Sequence, residues 1–312
     1  MSTSRHDHVG IDDARIEDLG GGLFAYIQPD GSWFINNTGF LVGRDGVTLV
    51  DACSTERRTR AFRDAVTTVT DQPMRVLVNT HSHPDHTTGN ALFAEAAIVA
   101  HEATRDDVKR GFPPLNGIWD PVDTGSLPPA PPFLTYRDGV TLWVDDLRCE
   151  VKHVGLPAHT TNDSIVWVPE RSVLYAGDLV FAGGTPFLMS GSVAGSIQVL
   201  TDVIAPLNAT TIVPGHGPVC GPEVITDVLE YLRFVQDTAR AAKDAGLSPL
   251  DAGRETDLGR FAEWTDRERI VGNLHRAYAE LDGAAPGAPL DITQVLTDMV
   301  TYNGGRPLTC YA

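Results

Sequence analysis

The segment Asn79 to Asn90, NTHSHPDHTTGN, follows the apolar run Val76-Leu77-Val78 and gathers three of the chain's ten histidines, with an aspartate, between His81 and His86. An apolar run that breaks into small, polar and turn-forming residues predicts a buried strand opening into a tight turn. His81, His83, Asp85 and His86 then leave a rigid base and can converge. Imidazole nitrogen and carboxylate oxygen are the donors that zinc takes, and iron or manganese accept the same mixture. Helix capping would explain one of these residues but not the set. The pattern H-x-H-x-D-H therefore points to a metal site, and it needs a sheet whose strand ends can hold it.

The flanking sequence supplies such a sheet. From Leu23, LFAYIQ, WFINNTGFLV and VTLVDA are separated by the turn signals Pro29-Asp30-Gly31 and Arg44-Asp45-Gly46, which predicts an antiparallel meander. STERRTRAFRDAVTTV has helical spacing at Phe62, Val66 and Val69, and RVLVNT is the strand that enters the histidine cluster. A helix is expected from Asn90 through ALFAEA, then a strand at AIVA. A second series, VTLWV, RCEVKHV, SIVWV, SVLYAGD and TIV, repeats the theme. Strands, helix and strands twice over predict an α/β fold of two similar halves, with sheets packed together and helices outside.

After Gly221 the character becomes helical. Pro222 suits a first helical position, Val224, Val228, Leu232 and Val235 form a stripe, and Ser248-Pro249 starts a short helix. Thr265 and Glu268 are spaced as a capping box ahead of Ile270, Leu274, Tyr278 and Leu281. The expected organisation is a catalytic core over residues 1–221 and a helical extension over 222–312 packed on it. Between Gly111 and Pro132 a loop rich in proline and glycine carries Phe112, Leu115 and Trp119. It reads equally as a lid and as an excursion that packs its own aromatics.

Three further metal-ligand candidates stand at expected strand ends beside glycine or proline: His159 in GLPAHTTND, Asp178 ending SVLYAGD, and His216 in PGHG. With H-x-H-x-D-H ahead of them, the ordered motifs resemble the metallo-β-lactamase superfamily. That resemblance implies an αββα sandwich with a dinuclear centre at one edge. It assigns His81, His83 and His159 to one metal and Asp85, His86 and His216 to the other, with Asp178 bridging, so that Asp85 and Asp178 are the carboxylates of the catalytic centre. Two Zn²⁺ are the implied cofactors, with iron or manganese as alternatives. Asp51, ending VTLVDA, is a candidate to accept the outer N–H of a ligating imidazole. His101 and His153 are expected to be structural, His6 and His8 lie in a tail, and His275 falls on a late helix.

Composition narrows the chemistry. A formal net charge of -17 disfavours a nucleic-acid partner, because phosphate-backbone affinity comes from Lys and Arg. No window approaches the roughly 18 apolar residues of a membrane span, and MSTSRHDHVGIDD lacks the apolar core of an export signal, so the expected location is cytoplasmic. Cys53, Cys149, Cys220 and Cys310 form no C-x-x-C pair and read as free thiols. A metal pair that activates water and polarises a carbonyl implies hydrolysis. Within the superfamily, SGSVAGSI, PGHGPVCGPEVI, NLHRAYAEL and YNGGRPLTCYA resemble the cyclase/thioesterases of aromatic polyketide pathways, enzymes of antibiotic biosynthesis. The resemblance implies an acyl thioester or ester substrate, carried on an acyl carrier protein or free, with aldol ring closure and acyl release. A generic hydrolase of lactones or β-lactams and a non-catalytic metal-binding protein are the alternatives. Trp33, Phe34, Trp119, Phe187 and Met189 are candidates for an apolar substrate pocket, and equally for core.

Overall fold

A computed structural model describes residues 10–112 and 116–312. Seven strands form the first sheet in chain order: β1 (Arg15–Gly20), β2 (Leu23–Ile27), β3 (Thr38–Gly43), β4 (Gly46–Val50), β5 (Met74–Val78), β6 (Ala97–His101) and β7 (Leu134–Tyr136). The first four pair antiparallel, and β4 to β7 run parallel. The second sheet has the order β12-β11-β10-β9-β8, from β8 (Gly139–Val144), β9 (Leu147–His153), β10 (Ser164–Val168), β11 (Val173–Phe181) and β12 (Thr211–His216).

Alternating side chains decide what each face meets. Leu23, Ala25 and Ile27 of β2 enter a cluster with Val151, Val166, Val168 and Val173, which fills the space between the sheets. Their neighbour Tyr26 turns the other way and packs with Phe40, Leu49 and Leu77 against Phe62 and Val66 of α1 (Glu56–Val69). On the far face of the second sheet, Ile165, Trp167 and Leu174 meet helices, so the layers run α, β, β, α. The sheets approach closely at Gly39, where a Cβ would stand 2.2 Å from the Tyr175 ring. Any side chain there would push the layers apart.

The short helices are α2 (Pro84–Thr87), α3 (Glu102–Arg110) and α4 (Val193–Val199); then come α5 (Glu223–Asp244), α6 (Pro249–Glu255), α7 (Arg269–Leu281) and α8 (Ile292–Tyr302). Val224, Val228, Leu232 and Val235 of α5 are buried against the second sheet's outer face together with Ile270 and Leu274 of α7. No helix among the described residues is long and apolar enough to cross a membrane.

Several local expectations are corrected. The Trp33-Phe34 pair lies in a turn before β3, with Phe34 at φ 61°, so the strand starts at Thr38. The helix expected from Asn90 is a 3₁₀ segment over Thr88–Phe93, because Asn90 is held by Asn79 and Ala130 rather than by a helical ladder. Pro222 stands just ahead of α5 rather than inside it. The Thr265–Glu268 capping box does not form: Glu268 receives the Trp33 indole N–H at 2.6 Å. Asp178 lies inside β11 and not at its end, at a register shift between Gly177 and Phe181. His6, His8 and Leu115 fall outside the described residues.

Candidate metal centre

The edge of the sandwich where β4, β5, β11 and β12 end carries the site. Beyond β5, the buried Asn79 side chain donates to His86 O and Asn90 Oδ1, which turns the chain sharply toward α2. Ser82 N donates to Asn162 Oδ1 at 3.0 Å, and Asn162 in turn donates to Asp107 on α3. The H-x-H-x-D-H loop is thus fixed by side chains from two other segments.

Four imidazoles have one nitrogen committed to a protein partner. His86 Nδ1 lies 2.8 Å from Asp51 Oδ2, His159 Nδ1 2.6 Å from Phe187 O, His216 Nδ1 3.0 Å from Gly31 O, and His81 Nδ1 3.1 Å from Thr80 Oγ1. A proton on Nδ1 facing Asp51, Phe187 or Gly31 leaves the Nε2 lone pair of that ring aimed inward. Asp51 also accepts from Thr80 N and Thr80 Oγ1, both at 2.7 Å.

The inward atoms form two sets. His81, His83, His159 and Asp178 bring ligand atoms within 4.8 Å of one another, and so do Asp85, His86, Asp178 and His216. Asp178 belongs to both. Its Oδ2 lies 3.2 Å from His159 Nε2 and 3.4 Å from His216 Nε2, while its Oδ1 approaches His86 Nε2 to 3.0 Å without the alignment of a hydrogen bond. The strand β12 comes close enough for this only because residue 215 is glycine: a Cβ there would sit 1.9 Å from Asp178 Oδ1.

Charge separates the two sets. Burial pushes His81 well down and His83 down, and it lowers His159 to about 3. These are neutral imidazoles, the form that donates a lone pair. In the second set burial alone would also lower the histidines, but the carboxylates of Asp178, Asp51 and Asp85 outweigh it at His86, which is raised well above its ordinary value. His216 goes up to about 9 in the same way, against Asp178 and Asp85. Burial works against ionisation of Asp85 and Asp178, yet the facing imidazoles hold Asp85 at about 2 and Asp178 well below the usual carboxylate range.

His81 Nε2, His86 Nε2 and Asp178 Oδ1 are buried with no hydrogen-bond partner. Each unmet buried polar atom costs about 1–3 kcal/mol. Converging, unmet nitrogen and oxygen donors are what a divalent cation satisfies, so the residues fit a pair of metal ions, one per set, with Asp178 shared.

A cleft of about 800 Å³, partly open to solvent, lies over both sets and is lined by all five residues expected for a pocket, Trp33, Phe34, Trp119, Phe187 and Met189. Trp33 meets Trp119 edge to face at 5.3 Å and Phe187 at 5.0 Å, and Phe34 meets Trp119 in the same way. They are both wall and core. Phe112 lines the mouth and Trp119 the interior, while the same loop is tied down by Leu308 at Asp120 and by Glu56 at Ser126. Sequence reasoning missed Thr80, Asn162 and Asp107 behind the ligands, and Arg269, Ile292 and Leu296 on the wall. Only the H-x-H-x-D-H neighbourhood hinted at Thr80. His101 and His153 stack on each other at 4.2 Å away from the ligand sets, and His275 pairs with Asp298 of α8. The four cysteines are free thiols.

The metallo-beta-lactamase superfamily model matches residues 31–216, well over half of the chain and the stretch that holds every candidate ligand. The chain belongs to the metallo-beta-lactamase superfamily. Solved structures of a metallo-beta-lactamase from Pontibacter korlensis and of metallo-beta-lactamase IND-7 share its fold, with TM-scores of 0.59 and 0.58 at 18% and 22% identity. They cover 70% and 71% of this chain and 99% and 98% of their own. Curated relatives are more varied. The 2,4-dinitroanisole O-demethylase subunit alpha of Nocardioides sp. is 29% identical over 56% of this chain and 50% of its own length. The linear primary-alkylsulfatase of Pseudomonas sp. is 23% identical over 84% of this chain and 60% of its own. The acyl-coenzyme A thioesterase MBLAC2 of Bos taurus is 25% identical over 53% of this chain and 63% of its own. The chain therefore spans roughly half to two thirds of the length of these curated relatives. Superfamily members are typically hydrolases, and the two His/Asp sets are where this one would carry a dinuclear site.

Proposed function

We propose that the chain is a dinuclear metal-dependent hydrolase of apolar acyl thioesters, with aromatic-polyketide cyclase/thioesterase activity as the finer reading. The metals are proposed as zinc, with iron or manganese as alternatives. His81, His83 and His159 would hold one ion, Asp85, His86 and His216 the other, and Asp178 both. When bound, such ions supply Lewis acidity toward a carbonyl and bring the pKa of water toward about 7.

The observation that carries the thioester reading is what the cleft lacks. Outside the two ligand sets, the only ionisable side chain among the described lining residues is Arg269, which is paired with Asp266 at 2.7 Å. Among the described lining residues, no separate general acid stands ready to protonate a departing group. A thiol with a pKa of about 8.5 departs as its anion near neutral pH, whereas an alkoxide needs a proton. Trp33, Phe34, Trp119 and Phe187 offer the acyl chain an apolar wall and exclude water beside the ligands. The acyl group would arrive as a free thioester or on a carrier protein.

A second reading comes from the alkylsulfatase relative, whose alignment covers 84% of this chain. A sulfate monoester with a linear alkyl tail would use the same wall, and sulfate also leaves without a proton.

The test is elemental analysis of protein purified without chelator, followed by a panel of apolar acyl thioesters, a lactone, a β-lactam and an alkyl sulfate. The expected result is close to two metal ions per chain, with thiol release outpacing every other substrate. Protein that stays metal-free in the presence of zinc overturns the reading in favour of a non-catalytic role. Preferential ring opening of lactone or lactam makes it a generic hydrolase, and preference for the sulfate installs the second reading.

A further inference from the structure

Helix α7 carries a polar stripe, Arg269, Asn273, Arg276 and Glu280, on a face that is almost wholly buried: the first three are 2%, 0% and 0% exposed. Residues at this spacing share one side of a helix. All four side chains bond to the backbone of a single segment, the loop between β11 and α4 together with the first residues of α4. Arg269 Nη1 donates to Thr185 O at 2.9 Å, and Arg276 Nη2 donates to Met189 O at 2.5 Å. Val193 N and Ala194 N donate to the Glu280 carboxylate. Asn273 grips the loop from both directions. Its Nδ2 donates to Pro186 O at 2.8 Å, and its Oδ1 accepts from Leu188 N at 2.9 Å.

The residue between those two peptide groups is Phe187. Its carbonyl accepts the His159 Nδ1 proton at 2.6 Å, and its ring is the cleft wall 5.0 Å from Trp33. Burying an amide side chain in a helix packing face is costly unless each of its groups is paired. An aliphatic residue would pack α7 more cheaply. A paired amide here fixes the peptide planes on either side of Phe187, and with them the direction in which that carbonyl points.

We infer that Asn273 is a positioning residue that aims His159, through the Phe187 carbonyl, at the His81/His83 side of the centre and holds the Phe187 ring in the substrate wall. The helices after residue 216 thereby set one ligand of a site whose ligands all lie before them. The inference rests on the proposed reading of His159 as a metal ligand. An outer partner of this kind fixes tautomer and ring orientation, and its loss costs metal affinity about 10- to 100-fold.

The test compares full-length Asn273→Leu and Tyr231→Phe with the parent protein. Tyr231 Oη accepts a third Asn273 bond at 2.9 Å and takes no part in the grip on Phe187. Three properties are read: zinc affinity of each site by chelator competition, the visible spectrum of the cobalt-loaded protein, and the His159 Nδ1–H signal in metal-free protein by imidazole nitrogen NMR. Asn273→Leu should weaken one of the two sites about 10- to 100-fold, shift the cobalt spectrum and lose the Nδ1–H signal, while Tyr231→Phe stays within about twofold of the parent. Unchanged affinity and spectrum in Asn273→Leu, or an equal effect of both variants, overturns the inference. Should Asn273→Leu not fold, Asn273→Asp, which keeps the Leu188 N bond and loses the Pro186 O bond, decides by the same readouts. His159→Ala separates the two levels. If it keeps both metals, the ligand assignment falls; if it loses one while Asn273→Leu loses none, the positioning role alone falls.

Discussion

Asp51 closes β4 in a left-handed conformation, φ 62°, and holds His86 Nδ1 at 2.8 Å while its two oxygens also take the N–H and hydroxyl of Thr80. One carboxylate thus orients an imidazole of the second ligand set and the turn that leads to the first. Asparagine tolerates the left-handed region, so Asp51→Asn keeps the backbone and removes the charge. The expected outcome is a 10- to 100-fold loss of affinity at the His86 site, measured by chelator competition, with the far-UV circular dichroism of the folded protein unchanged.

Asp178 is the one residue common to both ligand sets. Asp178→Ala takes away the shared anion, leaving two cations with less charge between them. Elemental analysis should find one ion per chain instead of two, and hydrolysis should fall by at least about 100-fold. Circular dichroism should show the fold intact. Two tightly held ions and near-parent turnover would make Asp178 a structural aspartate.

Metal loading should depend on pH at one set and not at the other. A protonated imidazole has no lone pair to give, so His216, held up at about 9, and the raised His86 must each lose a proton before they ligate. His159, down at about 3, has nothing to lose at neutral pH. Affinity of the His86/His216 set should therefore fall as pH drops below about 9, while the His81/His83/His159 set keeps its ion into mildly acid solution. Stoichiometry after dialysis at pH 5.5 and pH 8.5, with proton release followed by an indicator dye, checks this. Simultaneous loss of both ions would contradict it.

Trp119 reaches the cleft from the loop after α3 and contacts Trp33 and Phe34 without touching a ligand. Trp119→Ala should raise KM for a long apolar acyl thioester about tenfold, as expected for about 1.4 kcal/mol of lost contact, and leave KM for an acetyl thioester unchanged. Metal content should match the parent. A parallel loss of metal would assign the loop a structural role in the centre instead.

The candidate ligand residues were legible in the sequence because metal chemistry restricts residue type, and because a strand opening into a turn brings four of them together within His81 to His86. The two sheets were legible for a similar reason: short apolar runs such as LFAYI and SIVWV are local strand signals, but both strands are buried on two faces, so packing rather than sequence shows which residues meet the other sheet. Local signals failed where a distant partner competed. Thr265 and Glu268 have capping-box spacing, but the Trp33 indole, 235 residues away from Glu268, takes the carboxylate. Asp178 looked like a strand end, yet β11 continues past it because β12 pairs with Phe181.

What holds His159 in place was beyond sequence reading altogether. Asn273 acts on main-chain atoms of Pro186 and Leu188, which any residues there would present, so no residue type at 186–188 betrays the contact. The sequence by itself determined which atoms can bind a metal and which strands carry them. Only the tertiary structure decided that Asp178 stands between both sets, that aromatic rings from three separate segments close over them, and that α7 grips the loop behind His159. Those outcomes depend on distances between segments far apart in the chain, set by packing of the whole core.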